Sequence, residues 1–163
     1  MKRIRLVLLL ALAAMLAAPS VTADSILMAR QFAFLFQGVD GPQAGKALHL
    51  MKPAELVTRL KRGERIIALD VRTPAEAAVY GMTLPETLAI PINRLFMPEN
   101  LRRVPRDRLV LVVCKSGTRA TAAGTALRAV GFSNVYVLKG GLAALGGYLS
   151  PVTANAPVAA AGK

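Results

Sequence analysis

The chain reads as an α/β domain built on a mainly parallel sheet with helices on both faces. Two observations predict this class. Short aliphatic and β-branched runs recur without polar alternation: Ile66-Ile67-Ala68-Leu69, Leu109-Val110-Leu111-Val112-Val113 and Val135-Tyr136-Val137-Leu138. Runs of this kind are strands buried on both faces. Helical segments precede and separate them: Lys52 to Gly63 before the first, and an alanine-rich stretch from Ala120 to Ala129 between the last two. Strands alternating with helices pair in parallel beneath two helical layers.

The amino terminus is read first. Met1-Lys2-Arg3-Ile4-Arg5 is basic, Leu6 to Ala18 is an unbroken apolar run, and Val21 and Ala23 are small. The run is too short to span a bilayer comfortably. We expect a secretory signal peptide over residues 1–23, cleaved after Ala23, which places the protein in the periplasm or outside the cell. A retained anchor is the alternative. Cleavage would remove Lys2, Arg3 and Arg5, lowering the net charge from +12 to +9. Residues 24–163 then suit one domain. Residues 24–47 form an apolar lead-in, with Ile26, Leu27, Met28, Phe32, Phe34, Leu35 and Phe36 between Ser25 and Gly38. Packing across the domain is the expected role, because exposed patches of this kind are uncommon; contact of 25–38 with a partner or membrane is the alternative.

The domain proper is expected over residues 48–149. Leu48-His49-Leu50 is a short first strand. Helix 52–63 follows, with Pro53 near its start, Leu56, Val57 and Leu60 as its apolar stripe, and Gly63 at its end. Further strands are expected near 66–71, 88–90, 109–113 and 135–138. Thr73-Pro74-Ala75-Glu76 opens a helix, with Thr73 as cap and Pro74 in the first helical position. Residues 150–163, rich in Ala and Pro, read as a disordered tail. His49, the only histidine, has apolar neighbours and is expected to be structural or on the surface.

Cys114, the only cysteine, closes the apolar run 109–113 and opens the loop Cys114-Lys115-Ser116-Gly117-Thr118-Arg119. A helix begins there, and its first N–H groups lack internal partners. Those donors and the positive end of the helix dipole favour an anion, either the thiolate or a substrate. Lys115 and Arg119 add two cations. A buried, inert thiol is the alternative, but it fits a mid-strand position better than one followed by Lys, Ser, Gly, Thr and Arg. Gly117 is the position where the backbone can turn its N–H inward. Arg119 opposes the dipole of its own helix, so a local partner is expected: an anionic substrate, or a carboxylate such as Asp70 or Glu76. Asp70 and Arg72 sit at a strand's carboxyl end, where ligands bind in open parallel sheets. Their simpler reading is a charged pair that pins the following turn.

These residues carry a resemblance. The loop 114–119 resembles the active-site loop of single-domain rhodaneses, which are sulfurtransferases. Asp70-Val71-Arg72-Thr73-Pro74-Ala75-Glu76, Ala89-Ile90-Pro91-Ile92 and Gly131 through Gly141 are similar to three further blocks of that family, in the family's order. The resemblance covers about residues 48–148. One departure stands out: Gly81-Met82-Thr83 replaces the Gly-His-Ile found in many members. The resemblance implies a five-stranded rhodanese sheet. It also implies covalent catalysis by Cys114, which takes a sulfur atom from thiosulfate or a similar anionic donor and passes it from a persulfide to cyanide or a thiol. Residues 115–119 would bind the donor, and Asp70 and Arg72 would support them. Phosphatases of the same fold place five residues between Cys and Arg; four stand here, a tighter cradle suited to sulfur. No cofactor is implied.

Other classes find less support. One His and one Cys give neither a Cys-His dyad nor a metal-ligand cluster. No second cysteine is present to resolve a mixed disulfide. Basic clusters at 61–65 and 102–108 have no interleaved aromatics, so nucleic acid is not an expected partner, although a membrane surface remains an alternative. A non-enzymatic binding module, or a sulfur carrier serving a protein acceptor, is the second functional class.

Overall fold

The computed structural model describes residues 22–157. The expected signal peptide lies outside these residues except for Thr22 and Ala23, as do the last six residues of the tail. The chain divides at Phe34–Leu35 into two compact units. The first contains most of helix α1 (Ala23–Phe36), where Ser25 N–H donates to Thr22 Oγ1 at 3.3 Å. No residue of α1 is buried, and Leu27 and Phe34 are 59% and 77% exposed. Among the described residues, no helix is long and apolar enough to cross a membrane.

The second unit is the α/β domain. After a 3-10 turn (Gly41–Gln43) come α2 (Ala44–Ala47), β1 (Leu50–Met51), α3 (Pro53–Lys61), β2 (Ile67–Asp70) and α4 (Pro74–Val79). Then follow β3 (Thr87–Ala89), α5 (Ile92–Leu95), α6 (Pro98–Leu101), β4 (Val110–Val113), α7 (Thr118–Ala129), β5 (Val135–Leu138), α8 (Gly141–Tyr148) and α9 (Pro151–Asn155). The five strands form one sheet in the order β1-β5-β4-β2-β3, and every pairing is parallel.

The pleat of β4 sorts the core. Val110, Val112 and Cys114 belong to one apolar cluster, with Ala120, Ala123 and Leu127 of α7 and Leu95 of α5. Leu111 and Val113 belong to the other, with Leu56 of α3 and Leu142 and Leu145 of α8. Alternate residues of one strand thus feed opposite faces, which is why an unalternating apolar run is required there. The central strands β2 and β4 are buried throughout.

Two local expectations change. β1 begins at Leu50, later than residues 48–50. Leu48 N–H bonds to Ala44 O and His49 N–H to Lys46 O, both at 2.9 Å, so these residues finish α2. His49 then reverses the chain at φ 54°, a left-handed conformation uncommon outside glycine. Within the expected tail, the described residues include a short helix after Ser150. Ser150 and Thr153 form a reciprocal capping box with Pro151 in the first turn, and Lys61 Nζ donates to Thr153 O (2.9 Å) and Ala156 O (2.6 Å). Cap chemistry outweighs the Ala/Pro composition here.

Helix α7 approaches β5 closely because position 124 has no side chain. A Cβ there would lie 2.5 Å from Val137 Cγ2. Gly124→Ala, normally a gain in a helix interior, is therefore expected to destabilise the domain by about 1–3 kcal/mol through overpacking. Thermal denaturation checks this; a raised melting temperature would show that α7 and β5 separate freely.

Candidate active site

Cys114 lies one residue beyond β4 and is 1% exposed. The loop turns at Gly117, at φ 94° and ψ −23°, immediately before α7. Only glycine takes this conformation without a Cβ penalty. Gly117 N–H donates to Cys114 Sγ at 3.2 Å, and Ala120 N–H, from the first turn of α7, donates at 3.4 Å. Thr121 closes the turn from the far side, its N–H and Oγ1–H reaching Gly117 O at 2.8 and 2.9 Å. The sulfur therefore faces two backbone donors and the positive end of a 12-residue helix.

A second helix holds the loop's outer side. Leu142 N–H donates to Cys114 O at 2.9 Å, and Ala143 N–H to Lys115 O at 3.0 Å. These donors belong to the first turn of α8, where they have no intrahelical partner. Their approach depends on Gly141, at φ 62°. A Cβ at Gly141 would lie 2.6 Å from Lys115 O, 2.7 Å from Gly117 N, and closer still to Cys114 O. The atoms met are all backbone and cannot swing aside. Gly141 is thus part of the site, although the sequence marks it only as the turn after β5.

The remaining loop side chains divide. Lys115, Ser116 and Thr118 are exposed at the mouth, with Ser116 Oγ 3.4 Å from Thr118 Oγ1. Arg119 is engaged: its two terminal nitrogens reach the Glu76 carboxylate at 2.8 and 2.6 Å. Of the partners the sequence left open, the structure selects Glu76. That contact, and after it the nearby Cys114 sulfur, holds the Arg119 guanidinium more firmly charged than usual. In return, Arg119 and then Thr73 N–H hold the Glu76 carboxyl well below the usual carboxylate range. Glu76 also completes the capping box with Thr73 that starts α4.

Asp70 and Arg72 do not enter the loop. They form a buried fork: Arg72 Nε lies 2.9 and 3.0 Å from the two Asp70 oxygens, and a terminal nitrogen lies 2.6 Å from Oδ2. The same guanidinium donates to Tyr80 O at 2.7 Å and stands 4.8 Å from the Tyr80 ring centroid. It thereby ties the far end of α4 to β2. Asp70 pairs in register with Val113, the residue before Cys114. A rigid path thus runs from Asp70 through Arg72 and α4 to Glu76, and from Glu76 to Arg119.

Comparison with known proteins identifies the family. Residues 52–146 match the rhodanese-like domain family. The chain belongs to that family. A sulfurtransferase of Allochromatium vinosum is 35% identical over 99 residues, which span 61% of this chain and 89% of the relative. The probable adenylyltransferase/sulfurtransferase MoeZ of Mycobacterium tuberculosis is 31% identical over 112 residues, or 69% of this chain but only 28% of that longer protein. Among solved structures, the rhodanese-like domain of an Anabaena protein aligns at a TM-score of 0.55 and 26% identity, covering 71% of this chain and 88% of that one. A rhodanese-related protein of Thermoplasma volcanium aligns at 0.53 and 26%, covering 63% and 95%.

Two predictions follow from these ion pairs. Arg72→Ala leaves Asp70 buried without its partner and is expected to cost about 3–5 kcal/mol in chemical denaturation; a loss under 1 kcal/mol would show that water replaces the guanidinium. The Glu76–Arg119 pair has an acid signature. Because the folded carboxyl lies below its ordinary value of 4.5, its contribution is complete above that pH and fades as pH falls below it. Glu76→Gln retains the cap, so the melting-temperature gap between wild type and variant is expected to be constant above pH 4.5 and to shrink on acidification. A gap that holds in acid would assign the effect elsewhere.

Proposed function

We propose that this rhodanese-like protein is a sulfurtransferase that carries sulfane sulfur as a persulfide on Cys114, with thiosulfate or a similar anionic sulfur compound as donor. The observation that supports this most is the pair of backbone donors on Sγ inside a loop of four residues between Cys114 and Arg119.

The Cys114 thiolate attacks the outer sulfur of the donor. A new S–S bond forms on Cys114, and the donor's own S–S bond breaks, its electron pair leaving with sulfite. The enzyme is then a persulfide anion, one atom longer and still negative. The amides of Gly117 and Ala120 face negative charge in both states, so the cradle needs no rearrangement between the two half-reactions. An acceptor, cyanide or a thiolate, then attacks the outer sulfur, and the electron pair of the broken bond returns to Cys114. Lys115 is the exposed cation at the mouth and orients the anionic donor. Arg119, already forked to Glu76, positions the loop and adds charge near the sulfur. The expected export to the periplasm or cell exterior remains part of this reading.

Intact mass spectrometry before and after thiosulfate tests it. The expected result is one added sulfur atom on the wild-type protein, removed by cyanide, and no adduct on a folded Cys114→Ser variant. An unmodified wild type with a reduced thiol would overturn thiosulfate as donor and favour the binding-module reading.

A further inference from the structure

Beyond the Cys114 loop, a cleft of about 630 Å³ opens at the β1 edge of the sheet, lined by Lys46, His49, Lys52, Arg59, Tyr136 and Lys139 among others. Arg59 is shared between Glu55, which also lines the cleft, and Glu64, at 2.9 and 3.0 Å, a trio with one net negative charge. Lys46, Lys52 and Lys139 are exposed, and none forms an ion pair among the described residues. The cleft floor is a stacked ring pair. His49 stacks on Tyr136 with ring centroids 4.7 Å apart, and its Nδ1 is 2.9 Å from Val135 O. Burial, reinforced by Arg128, favours the neutral imidazole, so Nδ1–H donates to that carbonyl. The left-handed backbone of His49 is the only positive φ outside glycine among the described residues, and such conformations gather where a structure serves a ligand.

The sheet register brings one end of this cleft, at Lys52 and Lys139, to the level of Cys114. Val112 pairs with Val137, and Met51 pairs with Leu138. Two residues beyond Val112 is Cys114, two beyond Val137 is Lys139, and one beyond Met51 is Lys52. Cys114, Lys139 and Lys52 therefore leave three neighbouring strands at one level, roughly 5 Å apart per strand. Lys139 also leads directly through Gly140 into Gly141, which packs on the Cys114 loop. Uncompensated positive charge thus extends from the loop mouth at Lys115 across Lys139 and Lys52 to Lys46. Glu76, by contrast, is already taken up by Arg119.

We infer that this cleft docks an acidic segment of a protein that carries the acceptor thiol, holding the thiol at the Cys114 persulfide. The inference rests on the proposed sulfur transfer and names its acceptor class. In the step itself the acceptor thiolate attacks the outer sulfur of the persulfide. The acceptor leaves as a persulfide, and Cys114 leaves as a thiolate. Charge complementarity of this kind acts mainly by speeding encounter and weakens with salt.

Two cysteine peptides of equal length serve as probes, one flanked by glutamates and one by lysines. The full chain is loaded with thiosulfate, and discharge of the persulfide is followed by mass spectrometry. The glutamate peptide is expected to discharge it at least about tenfold faster at low salt. The Lys52→Glu/Lys139→Glu double variant is expected to bring the two rates within about twofold, with discharge by cyanide unchanged. Equal rates for the two peptides with wild type, or a preference that survives the double reversal, would overturn the docking site. Failure of thiosulfate loading or of cyanide discharge in wild type would instead overturn the sulfur-transfer reading on which it rests.

Discussion

The site depends on the seating of the first turn of α8 against the outside of the Cys114 loop. A loop with several N–H groups directed inward must direct its carbonyls outward, where they need donors. Leu142 and Ala143 supply them, at 2.9 and 3.0 Å from Cys114 O and Lys115 O. Each helix end thereby satisfies what the loop leaves open: α7 faces the sulfur from within, and α8 faces the carbonyls from without. Gly117 and Gly141, both at positive φ, are the two points where backbone must approach backbone. Any side chain at Gly141 would part the layers and release the carbonyls.

The sheet makes that seating possible. β4 and β5 are adjacent and parallel, so the loops that follow them emerge side by side at the same end. The packing of α7 on β5 is equally close, because Gly124 and the neighbouring alanines present almost no relief. A small-residue helix of this kind contributes little apolar area of its own. Its value is precision: the helix axis sits near the sheet, and its first N–H groups arrive within hydrogen-bond reach of Sγ.

Much of this was legible in the residues. The buried strands follow from their unalternating aliphatic runs, the start of α4 from Thr73-Pro74-Ala75-Glu76, and the loop from a cysteine placed between an apolar run and a helix. What escaped was long-range or depended on a single dihedral angle. The register of β1 turned on His49 at φ 54°, a conformation only a small share of non-glycine residues take. The role of Gly141 lies in a contact with a loop remote in sequence. Helix α9 was signalled by Ser150-Pro151-Val152-Thr153, but the alanines and prolines around it dominated the compositional reading. The partner of Arg119 could not be chosen between Asp70 and Glu76 until the Arg72 fork was seen to occupy Asp70.

That last assignment changes the electrostatic picture of the mouth. Two cations follow the cysteine in the loop, and both could be assigned to the donor. Once Glu76 takes both terminal nitrogens of Arg119, little of that fork is left for an oxyanion. Lys115 remains as an exposed point charge, and Gly117 and Ala120 supply the backbone donors on the sulfur. Amides carry no counterion and do not titrate, so under the proposed sulfur transfer the same two donors would face the sulfur in both half-reactions. On that proposal, a chain with one cysteine and one histidine places the donors nearest its sulfur in the backbone, with Arg119 as the adjoining side-chain cation.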